Sequence, residues 1–275
     1  MYKGTLTKLA SGNKTLSLRL LFPIFVIFVM YKDSIDIILP CYNPPKNWEK
    51  EIVHNYDKLV KLLHQYQINI ILVNDGSLHN TAQEQIGYLT ENIPSFTYIS
   101  YKENRGKGYA LRKGVEKSTA KYVIYNDIDF PYTTDSICNI FTRLTENVDI
   151  AVGNRGETYY KDVPTVRIVI SKLLRTFNKL FLGMNISDTQ CGLKGFNEDG
   201  RKVFLQTTIN RYLFDLEFVY LSSNNKDILI KPVNVTLKEG VVFSRMNIKI
   251  LKQEGLAFIE LVVKHFVKKI LGIKK

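Results

Sequence analysis

Between residues 35 and 152 the chain alternates, segment after segment, between short apolar runs and stretches whose apolar residues recur at helical spacing. Few folds accept that pattern. Residues 35–39, 68–73, 96–101, 122–125 and 148–152 read as strands, the first stopped by Pro40 and the second by Asn74-Asp75-Gly76-Ser77. Residues 48–66, 79–90, 107–118 and 134–144 read as helices, the first with Ile52, Val53, Tyr56, Leu59 and Leu63 on one face. Strands rich in Ile and Val without polar alternation are covered on both faces, and strands alternating with helices imply parallel βαβ units. The expectation is an α/β fold with a mostly parallel sheet flanked by helices. Ligands of such sheets bind outside the carboxyl ends of the strands. The unusual polar clusters fall there: Tyr42-Asn43, Asn74 to Ser77, and Asp127-Ile128-Asp129.

Asp127 and Asp129 follow the apolar run 122–125 after Asn126. Two carboxylates at a strand end can hold a divalent cation against a diphosphate, which is the least a protein needs to move a group off an activated nucleotide. In isolation the pair reads equally well as solvated turn residues. The chain has 275 residues, 45% hydrophobic and 12% aromatic, enough for a large core and too apolar for disorder. Its formal charge of +12 calls for an anionic partner. The excess is concentrated. Lys161, Arg167, Lys172, Arg175 and Lys179 face only Asp162, and seven lysines from Lys249 to Lys275 face Glu254 and Glu260. In both stretches the cations are interleaved with apolar stripes, Val166 to Phe181 and Ile259 to Ile270, which suits a membrane surface rather than a nucleic-acid groove. Cys41, Cys138 and Cys191 are odd in number and lack CxxC spacing, so neither a disulfide framework nor a zinc site is indicated and a reducing compartment is expected. At the N-terminus, basic residues precede the apolar stretch 20–31, broken by Pro23. It is shorter than the roughly 20 residues a span needs and reads as a weak anchor or an extension ahead of the folded domain.

Taken in order, Leu39-Pro40-Cys41-Tyr42-Asn43, Val73-Asn74-Asp75-Gly76-Ser77, Asn104-Arg105-Gly106-Lys107-Gly108 and Asp127-Ile128-Asp129 resemble the motifs of family 2 inverting glycosyltransferases of the GT-A fold. Val152-Gly153-Asn154-Arg155, Asp188-Thr189-Gln190-Cys191-Gly192 and Arg211 to Glu217 narrow the resemblance to the dolichyl-phosphate β-glucosyltransferase branch of the polyprenyl-phosphate glycosyltransferases. The resemblance spans residues 35 to 240 and implies a catalytic domain there, between an N-terminal segment 1–34 and a basic amphipathic segment 241–275. It implies transfer of a hexose, glucose first, from UDP-glucose to a polyprenyl phosphate at the cytoplasmic face of a membrane. The glycine loop is not a dinucleotide fingerprint, since Leu111 stands where the third glycine belongs.

Under that resemblance Pro40, Tyr42, Asn43, Asp75, Gly76 and Ser77 face the nucleotide, with Asp75 accepting from a base N–H or a ribose hydroxyl. Arg105, Gly106 and Lys107 form a cationic loop for the diphosphate. Asp129 ligates Mg²⁺ or Mn²⁺ directly, and Asp127 holds the ribose or a metal-bound water. Arg155, with Arg167 or Arg175 behind it, contacts the acceptor phosphate. Asp188 orients either the donor sugar or an acceptor-binding arginine. Asp215 flanks the acceptor, or pairs with Arg211 or Arg201. Two other readings stay open: a sugar-hydroxyl acceptor, which needs an aspartate as general base, and a non-catalytic nucleotide-sugar binding protein.

Overall fold

The computed structural model describes residues 33–156, 176, 186, 188–241 and 248–270. Seven strands form one sheet: β1 (Ser34–Cys41), β2 (Gln67–Asp75), β3 (Phe96–Tyr101), β4 (Tyr122–Tyr125), β5 (Ile150–Arg155), β6 (Lys194–Phe196) and β7 (Ile230–Val235). Their spatial order is β3-β2-β1-β4-β6-β5-β7. All neighbours run parallel except β6, which is antiparallel to both β4 and β5. The helices are α1 (Trp48–Leu62), α2 (Gln83–Asn92), α3 (Lys107–Lys117), α4 (Thr134–Thr145), α5 (Glu198–Phe204), α6 (Phe214–Ser223) and α7 (Ile248–Ile270).

Side-chain alternation along β1 builds two cores. Ile35, Ile37 and Leu39 enter one with Ile52 and Leu59 of α1 and Ile140 of α4, while Ile38 enters the other with Leu111 of α3 and Phe214 and Phe218 of α6. Cover on both faces is why the central strands read as unbroken apolar runs.

Several boundaries differ from the sequence reading, each for a local reason. Strand β1 continues through Pro40 to Cys41. Its ladder with β4 ends at Ile38↔Tyr125, and Pro40 points to that side by alternation, so the missing N–H leaves no acceptor unpaired. Helix α1 stops at Leu62, where the N–H of Leu63 closes on the Leu59 carbonyl. Helix α2 starts at Gln83, after Gln85 Oε1 accepts the Ala82 N–H.

Apart from Thr176, the basic stripe 166–181, with Arg167 and Arg175, lies outside the described residues, as does the N-terminal stretch 1–32. Helix α7 packs Phe258, Leu261 and Val262 against the core beside α6 and leaves Leu256, Ile259, Val263, Phe266 and Val267 exposed.

Candidate active site

The carboxyl ends of β1, β2 and β4, the loop before α3, the segment 190–192 and Arg155 enclose a cleft of about 610 Å³. Pro40, Tyr42, Asn43, Asp75, Gly106, Lys107, Asp127, Asp129, Arg155 and Asp215 all line it. Gly76, Ser77, Arg105 and Asp188 stand outside the lining and act, where they act, through neighbours.

The acidic pair leaves β4 in a tight turn closed by the Phe130 N–H on the Asp127 carbonyl at 3.0 Å. Phe130 sits at φ 44° and is fully buried, a strained backbone for a bulky residue that survives only where packing over-determines it. Oδ1 of Asp127 accepts the Lys107 ammonium. Its Oδ2 lies against the Gly192 backbone so closely that a Cβ at Gly192 would overlap it. Asp129 is open to solvent. Its carboxyl is nonetheless raised above the usual range, first by the protein mass that desolvates it and then by the charge of Asp127. Burial alone would lower the Lys107 ammonium, but Asp127 and then Asp215 hold it above its ordinary value.

Among the described residues no group of three or more His, Cys, Asp or Glu side chains forms a closed metal cage. Asp127 and Asp129 offer oxygen donors only, and their mutual repulsion is relieved by a dication. That donor set fits a hard cation that completes its shell with water and phosphate oxygens.

Asp75 has a second task within the protein. Its Oδ1 accepts the Arg105 N–H at 2.8 Å, and its Oδ2 accepts the Gly106 N–H at 2.8 Å and the Asn104 amide at 2.9 Å. It therefore anchors the 104–106 loop from its place in the cleft lining, with acceptor capacity left on Oδ1. Gly106 enters α3 at φ 105°, a conformation that favours glycine. The Arg105 guanidinium does not join the cleft: it bonds the Tyr109 hydroxyl at 3.0 Å and stacks on that ring. Asn43 is likewise engaged, its amide oxygen accepting the Leu78 and His79 N–H groups and its own N–H donating to Ser77 Oγ. Tyr42, 49% exposed, keeps a free ring face at the mouth.

On the opposite wall Asp188 grips Arg155 three times. Its Oδ2 accepts the Arg155 backbone N–H at 2.9 Å and Nε at 2.8 Å, and its Oδ1 accepts a terminal guanidinium nitrogen at 2.7 Å. Desolvation would weaken the guanidinium charge, but the buried carboxylate overcomes it and keeps Arg155 protonated.

Asp215 pairs with neither Arg211 nor Arg201. Its partner is Lys194 of β6, fully buried, whose Nζ also donates to the Cys191 carbonyl at 2.6 Å. The Tyr125 hydroxyl donates to the same Asp215 oxygen at 2.6 Å. Arg201 instead caps the Ser118 carbonyl, and Glu217 accepts from Thr208 and Ile209.

Lys194, Gln190 and Gly192 are the parts of the site that sequence reasoning did not assign. The Asp188-Thr189-Gln190-Cys191-Gly192 string was the available signal, but it does not say which side chain faces the cleft.

Residues 36–204 match the Glycosyl transferase family 2 domain. The chain is 28% identical to the dolichyl-phosphate beta-glucosyltransferase of Dictyostelium discoideum over 78% of this chain and 72% of that protein. Among solved structures it superposes on mannosyl-3-phosphoglycerate synthase from Rubrobacter xylanophilus with a TM-score of 0.60 at 14% identity, covering 88% of this chain and 76% of the other. A second match is glucosyl-3-phosphoglycerate synthase from Mycobacterium tuberculosis, solved with Mn²⁺, UDP and phosphoglyceric acid, with a TM-score of 0.53 at 14% identity over 86% and 78% of the two chains. These superpositions establish the GT-A-like mostly parallel sheet, and with the domain match the chain belongs to glycosyl transferase family 2.

Proposed function

We propose that this family 2 glycosyltransferase moves a hexose, glucose foremost, from UDP-glucose to a polyprenyl phosphate with inversion. The carrying observation is the joint placement, in one cleft, of the Asp127–Asp129 pair, the Lys107 cation and an Arg155 clamped by Asp188. The likeness to dolichyl-phosphate beta-glucosyltransferases points the same way.

In this reading the diphosphate lies over Lys107 and the acidic turn. Asp129 and Asp127 would hold a Mg²⁺ or Mn²⁺ ion, which neutralises charge on the departing nucleoside diphosphate when bound. Lys107 adds a second positive charge to that oxygen cluster, and Tyr42 offers a face to the base. An oxygen of the acceptor phosphate forms the new bond to the anomeric carbon from the face opposite the leaving group. The bond to UDP breaks, and UDP departs with the electron pair.

A phosphate monoester, with a second pKa of about 6, is already ionised near neutrality. The acceptor therefore needs positioning and charge compensation rather than deprotonation. Arg155 supplies both, since its planar fork suits a phosphate and Asp188 fixes its direction. Without that clamp an acid so near an anionic acceptor would repel it. Paired with Arg155, Asp188 becomes a positioning residue.

A lipid acceptor also requires a membrane surface within reach. The exposed apolar stripe of α7 and the lysine-rich sequence around it would dock on one. No helix among the described residues is long and apolar enough to cross a membrane.

The test is to incubate purified protein with labelled UDP-glucose and undecaprenyl or dolichyl phosphate, with and without EDTA. Label should enter the organic phase only when metal is present. Failure to see this with any of several nucleotide sugars would sink the proposal.

A further inference from the structure

We infer that the side-chain amide of Gln190 recognises a hydroxyl of the transferred hexose, which makes it a specificity-determining residue of the donor site. This deepens the donor reading above and rests on it.

Gln190 lines the cleft, yet its Nε2 is shielded from solvent and has no hydrogen-bond partner among the described residues. Native proteins keep few such groups, because a buried unpaired N–H carries its desolvation penalty with nothing to offset it. The backbone around it, in contrast, is fixed on both sides. Two residues earlier Asp188 is locked to Arg155. Immediately after, the Cys191 carbonyl takes the Lys194 ammonium, and then Gly192 abuts Asp127. A segment held this firmly carries one polar side chain that nothing holds. The terminal torsion of glutamine is broad, so turning the amide into the cleft breaks no existing bond.

The position in the site says what the amide meets. The acidic turn and Lys107 mark the diphosphate end, and Arg155 marks the acceptor phosphate end. The hexose must lie between them, because its anomeric carbon passes from one to the other. Gln190 stands on the segment that links those two ends. Each phosphate is met by a cation, whereas a neutral amide with one donor group and one acceptor matches a neutral hydroxyl that both donates and accepts. A polar group placed this way discriminates among sugars that differ in hydroxyl orientation, since the wrong epimer leaves it unpaired.

The test compares wild type with Gln190→Met and the nearly isosteric Gln190→Glu, by calorimetric titration with UDP and with UDP-glucose in the presence of Mn²⁺. UDP-glucose affinity should fall about three- to tenfold, the worth of one hydrogen bond, while UDP affinity stays unchanged. The preference for UDP-glucose over UDP-galactose in kcat/KM should shrink as well. Parallel loss of both ligands would show a structural role for the loop and overturn the inference, as would variants that match wild type for both. If wild type itself binds neither ligand, the donor reading falls and takes this inference with it.

Discussion

A methyl group at Gly192 would run into Asp127 Oδ2, while Oδ1 of the same carboxylate is held by Lys107. Gly192→Ala must therefore turn the Asp127 carboxylate out of the position it now holds between Lys107 and Gly192. We expect kcat/KM to drop about a hundredfold, the usual consequence of a misplacement near 1 Å, with the melting temperature little changed. An active Gly192→Ala enzyme would show that Asp127 needs no fixed direction. Lys194 makes a different prediction. Replacing it by Met leaves Asp215, 4% exposed, without its ion-pair partner, with the Tyr125 hydroxyl bonded to it and the Lys107 charge near by. Breaking one partner of a buried pair costs about 3–5 kcal/mol, whereas replacing both with apolar groups is often neutral. Urea unfolding should therefore show Lys194→Met strongly destabilised and Lys194→Met with Asp215→Leu largely recovered. These residues also mark how far the site was legible from sequence. The Asp127–Asp129 pair, Lys107 and Arg155 announced themselves by charge at a strand end or loop, and all line the cleft. What sequence could not supply was pairing. Nothing in a sequence reveals that backbone N–H groups already engage the side chains of Asp75 and Asn43.

At the scale of elements, α6 and α7 meet through one contact that carries a pH signature. Oε2 of Glu254 in α7 accepts the Leu213 N–H at the start of α6 at 2.7 Å. Burial raises this carboxyl above its ordinary 4.5, and the backbone donors and Arg211 only partly offset it. The folded state thus holds the proton more tightly than the unfolded chain. That contribution to stability is present below pH 4.5 and is lost as the pH rises through the higher folded value. Glu254→Gln keeps an oxygen acceptor and has no charge to bury. Its melting temperature relative to wild type should therefore climb between about pH 4 and pH 7. A gap that moves the other way would mean that the negative charge at the α6 N-terminus matters more than its desolvation. The elements differ in how readily they were read. Strands β1, β2, β4 and β5 and helices α1 to α4 stood out because burial on both faces leaves continuous apolar runs, and one-sided burial leaves helical spacing. Strand β6 did not, for it has three residues and opens with a lysine. A buried lysine cancels the apolar signal, and the carboxylate of Asp215, 21 positions away, together with the Cys191 carbonyl, makes its place in the sheet tolerable.

For the whole molecule, the decisive arrangement is a charged cleft on a body that also exposes a greasy helix face. Leu256, Ile259, Val263, Phe266 and Val267 of α7 stand 61%, 59%, 53%, 42% and 47% exposed, although Phe258, Leu261 and Val262 of the same helix pack into the core. An isolated exposed apolar residue needs no explanation, but a stripe along one helix does. A water-exposed stripe gains nothing for folding. The basic sequence around it favours an anionic lipid surface over a protein partner, because each cation near such a surface contributes about 1 kcal/mol and buried apolar area adds to that. Such docking would hold the enzyme where a polyprenyl phosphate lies, while the lipid tail stays in the bilayer and only its headgroup has to reach Arg155. Ile259→Glu with Val263→Glu changes the exposed face and leaves the packed face intact. That variant should sediment less with vesicles of phosphatidylglycerol and phosphatidylcholine, and added salt should weaken wild-type binding as the charges are screened. Its activity should fall on polyprenyl phosphate embedded in vesicles and survive on a short-chain, water-soluble acceptor. Equal loss on both acceptors would place the defect in the cleft and remove the membrane from the account.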